Sequence, residues 1–557
     1  MSSTSRKFVF GLVVAACASL ALADAKPDLS AAGDGAKWAE HITAASIRAD
    51  MRFLADDLLE GRGTGSRGHL IAAHYLASQF EGMGLEPAGD NGSYFQDVPI
   101  RSMKLDEEAS SGSLTENGKT VALKLREDFL LSPDPGRRRV EVEAPVVFAG
   151  YGITAPSQGY DDYQGLDVKG KIVALLFGAP DFPVAVKAHY SASWLKRQNA
   201  AAHGAAGYLL IIDPALEGMY PFSMQVRDLA IPKRNWLSAN GVPSQYYPQL
   251  KVVGVISMPG VAHLLEGSGH SAAEVFAAAK GKKPLRFATG GAARFVSVSS
   301  WSDQKSPNVV AKLKGSDRGL SQQYVVYSAH LDHLGISTPV NGDAIYNGAL
   351  DNGSGSAALM EVARAFAALP VKPKRSLLFV AVTGEESGLL GSDYFANNPT
   401  VDKSSMIADL NMDEDLMLWP LKDVVALGAE HSTLDGVVNR AVKALHLTAS
   451  PDPEPEQVAF IRSDQYSFVR QGIPSIALEA GEKSDDPNID PAKIATAWEK
   501  DIYHHPQDDM QQPNLDFEAG ALYARVAYLC GLYTADDRDA PRWNPGDFFG
   551  VAFAHAH

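Results

Sequence analysis

Leu377-Leu378-Phe379-Val380-Ala381-Val382-Thr383-Gly384-Glu385-Glu386-Ser387-Gly388 decides how the rest of the chain is read. The unbroken apolar run is too short for an ordinary helix and predicts a strand buried on both faces. Gly384 then turns the chain and leaves two adjacent carboxylates at the strand's carboxyl end. Runs of the same texture occur at 309–313, 324–328, 423–427 and 475–478. Amphipathic helices are predicted between them, at 356–368 (Leu359, Val362, Ala363 and Phe366 on one face) and at 434–445. This alternation predicts an α/β fold, a mostly parallel sheet with helices on both sides.

Ligands of open α/β sheets bind beyond the carboxyl ends of the strands, and there the chemistry-bearing residues collect. The strand beginning at Tyr324 runs into His330-Leu331-Asp332, a spacing that lets the aspartate hold the far ring nitrogen of the histidine. Asp351 follows in Gly348-Ala349-Leu350-Asp351-Asn352-Gly353, directly ahead of a helix. Alone it reads as a capping aspartate, and His330 alone as the end of a strand. Neighbouring side chains diverge, so Glu385 and Glu386 divide their labour: one can bind a cation while the other serves as general base. Asp413 and His504 complete two coordination spheres. The set supplies the parts of a two-metal hydrolase. Its donors are oxygen and nitrogen only, so zinc is the expected metal, with cobalt or manganese as substitutes.

In order along residues 307–510, these stretches resemble the M28 family of co-catalytic zinc peptidases. Ser463-Asp464, Gly472-Ile473-Pro474, Tyr503-His504-His505-Pro506-Gln507-Asp508 and the 27-residue step from Glu386 to Asp413 add to the match. The resemblance implies a phosphorylase/hydrolase-like three-layer α/β sandwich holding two Zn2+. Asp351 would bridge the ions, His330 and Asp413 would complete one site, and Glu386 and His504 the other. Glu385 would be the general base and Asp332 the partner of His330. Two positions depart from the pattern. Gln465 stands where many relatives carry histidine, which bears on the substrate pocket, and His505 sits beside His504 as a rival imidazole. Residues 126–290 resemble a β-rich protease-associated (PA) insert through Tyr151-Gly152-Ile153, Asp167-Val168-Lys169-Gly170-Lys171-Ile172-Val173 and Gly204-Ala205-Ala206-Gly207.

The implied partners are peptide substrates. Carboxypeptidase relatives place arginines ahead of the last histidine, whereas residues 476–503 contain none and include Glu479, Glu482, Asp485 and Asp486. A free amine suits that acidic stretch better than a carboxylate does, so an aminopeptidase is expected. The alternatives are a carboxypeptidase-type or an aminoacylase/cyclase-type enzyme on the same scaffold, or a non-catalytic receptor-like relative. The last is disfavoured because every ligand position is filled.

With 557 residues the chain exceeds one ordinary core, and a net charge of -16 excludes a nucleic-acid partner that needs a basic face. Arg6 and Lys7 followed by the apolar run 8–22 predict an export signal over 1–23, hence a periplasmic or secreted protein without a transmembrane segment. Val14-Ala15-Ala16-Cys17 also resembles a lipobox, which would leave Cys17 lipidated. Cys530, the other cysteine, lies in an apolar run and predicts a packed thiol. Apolar spacing predicts helices over 42–86, broken by glycines at 61–65. The expected division is a peptidase part at 36–125, the insert at 126–290, the catalytic part at 291–540 and a tail at 541–557. The sequence carries no signal for an oligomeric state.

Overall fold

A computed structural model describes Gly35 and residues 37–554, apart from 117 and 281–283. The expected export signal, Cys17 included, lies outside these residues. The main sheet is built from β1 (Arg286–Leu313), β2 (Tyr324–His330), β3 (Ser376–Val382), β4 (Met406–Met412), β5 (Asp423–Leu427) and β6 (Ser475–Ala480). Their spatial order is β1-β3-β2-β4-β6-β5. The four central strands run parallel, while β1 and β5 lie antiparallel to their neighbours at the two sides. Mixed α/β architecture with a parallel centre is therefore present, as the sequence predicts.

Side chains alternate along a strand, and here the alternation separates two cores. Val325, Tyr327, Leu377, Phe379 and Leu410 pack with α1 (Ala44–Leu54), α2 (Arg67–Gly82), α3 (Gly355–Ala368) and the C-terminal helix Phe517–Asp536. Val326, Leu378, Val380 and Val382 pack on the opposite face with α4 (Leu390–Asn397) and α5 (Gln465–Val469). Each fully buried Leu, Val or Phe contributes about 1.5–3 kcal/mol. The predicted face of α3 is wholly buried, whereas Leu58, within the span 42–86 predicted helical, lies exposed in the turn Asp57–Arg62. Gly531 lets the C-terminal helix settle on the sheet, because a methyl group there would overlap the hydroxyl of Tyr327. That hydroxyl donates to the carbonyl of Ala527 at 2.9 Å. Cys530 is buried beside it.

A second sheet occupies the middle of the chain. Its order is Lys119–Leu123, Ser111–Glu116, the first half of β1, Arg139–Ala149, Ile172–Leu176, Gly207–Ile211, Val252–Ile256 and Phe129–Leu131. The sheet reaches beyond the span 126–290 on both sides. Strands Ser111–Glu116 and Lys119–Leu123 belong to it, and β1 stays in it through Val298 before pairing with Phe95–Leu105 from Ser299 onward. The glycine pair at 290–291 makes a local bulge and does not end the strand. Residues 541–554 dock on the main-sheet half: Phe549 is buried, and the Trp543 indole donates to the Gly472 carbonyl at 2.8 Å.

One buried histidine joins a helix that follows the strand Ile172–Leu176 of the second sheet to α5 on the main sheet. His189, on helix Val184–Ser191, has Nδ1 2.6 Å from the hydroxyl of Tyr466 in α5. Burial, reinforced by the Arg470 guanidinium, pushes this imidazole down to about 4. Unfolded, it takes its proton near pH ~6.5. Its contribution is therefore complete above that pH and is lost as the pH falls toward 4, about 3 kcal/mol in all. Urea unfolding between pH 7 and 4 should show this loss, and His189→Gln should flatten the slope. An unchanged slope would assign the acid sensitivity to other groups.

Candidate metal centre

Strand register sets the height of each group. His330 lies opposite Val382, and Ser328 opposite Asn411, so Asp413 emerges level with His330 at the carboxyl ends of β4 and β2. There His330 Nε2 is 2.9 Å from Asp413 Oδ1 and 3.2 Å from Asp351 Oδ1. The other oxygen of Asp351 is 3.2 Å from His504 Nε2 and 3.5 Å from His333 Nδ1. Glu386 meets the same two rings, with Oε1 2.6 Å from His333 Nδ1 and Oε2 3.2 Å from His504 Nε2. The structure thus brings His330, Asp351, Glu386, Asp413 and His504 together and adds His333. Donor atoms of His330, Asp351 and Asp413 form one group within 4.8 Å of one another, and those of His333, Asp351 and Glu386 a second. Asp351 belongs to both.

Main-chain contacts hold this arrangement. The carboxylate of Asp508, in the His504 loop, accepts from the N–H groups of Leu350 (2.9 Å) and Asp351 (3.0 Å). It thereby ties the two loops together. Arg62, read from the sequence only as part of a glycine-rich break, is fully buried and donates to the carbonyls of Leu331 (2.8 Å), Asn347 (2.6 Å), Gly348 (2.8 Å) and Leu54. Burial lowers this guanidinium to about 10, against the pull of Asp508 and Asp351.

Asp332 requires a correction. The His330 Nδ1–H donates to its main-chain carbonyl at 3.0 Å and not to its carboxylate. The carboxylate instead accepts from the Thr64 hydroxyl (2.8 Å) and the Glu385 N–H (3.2 Å). A carbonyl can only accept, so Nδ1 carries a proton and Nε2 is the nitrogen turned toward the carboxylates. His505 turns away to the Tyr503 carbonyl, and His504 is the imidazole at the cluster. Gln465 is buried, accepting from Asn411 at 2.9 Å and donating to the Phe460 carbonyl at 2.8 Å.

The two adjacent glutamates are driven apart electrostatically. Glu386 is pulled down to about 2, because the imidazoles of His504 and His333 outweigh its burial. Burial, together with the carboxylates of Glu386 and Asp413, pushes Glu385 well above the usual range despite His330. Burial opposes charge on His330, yet Asp413 and Asp351 raise it well above its ordinary value. The surplus of carboxylates around these rings is negative charge that a bound cation would offset. The orphaned atoms agree: His333 Nδ1, Glu386 Oε1 and His504 Nε2 are buried, close to one another, and without hydrogen-bond partners. Nitrogen lone pairs and carboxylate oxygens converging in this way fit a divalent metal.

A cavity of about 240 Å³ opens beside Glu385 and Asp413. Trp419, Val425 and Leu427 give it an apolar wall, while Glu414, Glu479 and Arg462 bring charge. A larger depression of about 730 Å³, lined by Arg48, Trp419 and Phe517, contains none of the clustered groups.

Fold and cluster together define a class, α/β proteins with a cluster of imidazoles and carboxylates at the carboxyl edge of a parallel sheet. Residues 308–526 match the model of Peptidase family M28, and this stretch carries every clustered residue. A probable zinc metalloprotease of Pyrenophora teres f. teres is 37% identical over 19% of this chain and 22% of its own length. Aminopeptidase Y of Saccharomyces cerevisiae is 27% identical over 39% of this chain and 36% of its own length. The chain thus spans about a fifth to a third of these curated relatives. The solved aminopeptidase from Aneurinibacillus sp. strain AM-1 shares the fold, with a TM-score of 0.50 and 18% identity over 92% of this chain and 98% of that one. Among the described residues, no helix is long and apolar enough to cross a membrane.

Proposed function

We propose that this protein is an exported, two-zinc exopeptidase that removes N-terminal residues from peptides. The observation that carries the reading is Asp351, whose two oxygens face two different groups of donors. His330 and Asp413 would hold one ion with Asp351, and Glu386 and His504 the other. Bound zinc supplies Lewis acidity, which lowers the pKa of water toward ~7 and polarises a carbonyl oxygen. Glu385, at the cavity edge, takes the proton of the attacking water on its carboxylate and passes it to the leaving amine. Asp332 holds the Glu385 main chain in place meanwhile. The cavity accepts the N-terminal side chain against its apolar wall, and its carboxylates receive the free amine.

The second sheet is read as the PA-like insert, seated to limit access to small or unfolded peptides. In support, Lys187 of the insert pairs with Glu456, in a loop that supplies Glu454 to the cavity. Arg234 also donates to Ser387, beside Glu386, at 3.0 Å. The main sheet with helices on both faces is read as the three-layer sandwich.

Arg462 in the cavity gives the carboxypeptidase reading its one foothold. Amino-acyl para-nitroanilides should be hydrolysed, with activity lost to a chelator and restored by zinc. Turnover only of peptides with a free C-terminal carboxylate, lost in Arg462→Ala, would reverse the assignment.

A further inference from the structure

Resting on the metal centre proposed above, we infer that His333 is a further ligand, binding through Nδ1 the cation that Asp351, Glu386 and His504 surround. The residue stands three places after His330, in the same loop, and its ring is buried. Neither ring nitrogen has a hydrogen-bond partner. Buried polar groups are nearly always satisfied, so an imidazole left with both nitrogens bare calls for a partner that is not part of the polypeptide. Its Nδ1 faces anionic donors only, 2.6 Å from Glu386 Oε1 and 3.5 Å from Asp351 Oδ2. At 2.6 Å the imidazole and carboxylate nonetheless fail the angle of a hydrogen bond. Two ligands of one tetrahedral zinc stand about 3.3 Å apart, so an entering ion would part these two donors by a few tenths of an ångström.

The ring is also seated. Gly348 presses on it so closely that a methyl group at that position would fall 2.6 Å from its Cγ. Gly348 itself has φ +61°, a conformation that suits glycine. The main-chain N–H of His333 donates to the Arg62 carbonyl at 3.3 Å and fixes the backbone that carries the ring. The ring is therefore positioned before any ion arrives, as a ligand should be.

The two sites are then unequal. One offers His330, Asp351 and Asp413; the other offers His333, Asp351, Glu386 and His504. A four-ligand site is closed in the manner of structural zinc, whereas a three-ligand site keeps a position open. The first cation to bind should enter the site with four ligands, and the open position for substrate belongs to the His330 side.

The test uses the full chain, stripped with a chelator and titrated with Co2+ under competition from a chromophoric chelator. In His333→Ala the tighter of two binding steps should weaken by about 100-fold or more, a loss on the scale of a metal ligand and its supporting contacts, while the weaker step stays nearly unchanged. Proton NMR of the Co2+ form should show one more strongly shifted, exchangeable imidazole N–H signal in the wild type than in His333→Ala or His333→Gln. Equal numbers of such signals would overturn the assignment and leave His333 as a positioning residue for Glu386. Should His333→Ala not fold, His333→Gln and selective ring labelling of the wild type give the same count. If the wild type binds no Co2+, the metal centre itself fails; two normal binding steps unaffected by either variant sink only the role of His333.

Discussion

Asp351→Ala is expected to release both cations and to lower kcat/KM by about 10³-fold or more. Each factor of ten is ~1.4 kcal/mol of transition-state stabilisation, and Lewis-acid catalysis supplies several kcal/mol. The expectation follows from one carboxylate with two duties, Oδ1 toward His330 and Oδ2 toward His504 and His333. No neighbour can substitute for it, since Asp508 spends its oxygens on the N–H groups of Leu350 and Asp351. Metal content measured by plasma emission alongside peptidase rates checks the result. Two equivalents of zinc retained by the variant would refute the shared ligand.

Glu385→Gln should behave in the opposite way, keeping the metals and losing the chemistry. General acid–base groups contribute about 10²–10⁴-fold, and a fall of that size in kcat with little change in KM is expected. The amide keeps the shape of the side chain, and the main-chain contact to Asp332 is untouched. If Glu385→Gln loses zinc while Glu386→Gln keeps it, the two glutamates have exchanged roles. Near-normal kcat in Glu385→Gln would mean that another group takes the proton.

Much of this was legible from strand-to-loop transitions. The run 377–382 is buried along its whole length in β3, and the turn after it carries the two glutamates as read. Strand β4 was harder to see, because Asp409 and Asn411 interrupt its apolar pattern. In the fold both are buried, with side-chain oxygens 2.8 and 3.0 Å from the Ser328 hydroxyl, a contact that only tertiary pairing provides. His333 passed unremarked because the H-x-D spacing drew attention to its neighbours, although a third imidazole three residues after His330 was a usable signal. Arg62 had no such signal. Its targets are main-chain carbonyls from three separate segments, and carbonyls leave no trace in side-chain patterns. Asp332 shows the same limit, since spacing could not tell its carbonyl from its carboxylate.

The 28-residue strand β1 has a consequence for anyone wishing to trim the molecule. Because one continuous ribbon serves as a rail for both sheets, excising residues 126–290 would strand Ala293, Phe295 and Val296 on a bare, sticky edge. A workable excision has to begin before Ser111 and resume after Val298. The same rail transmits strain between the halves, so melting should register as a single calorimetric peak.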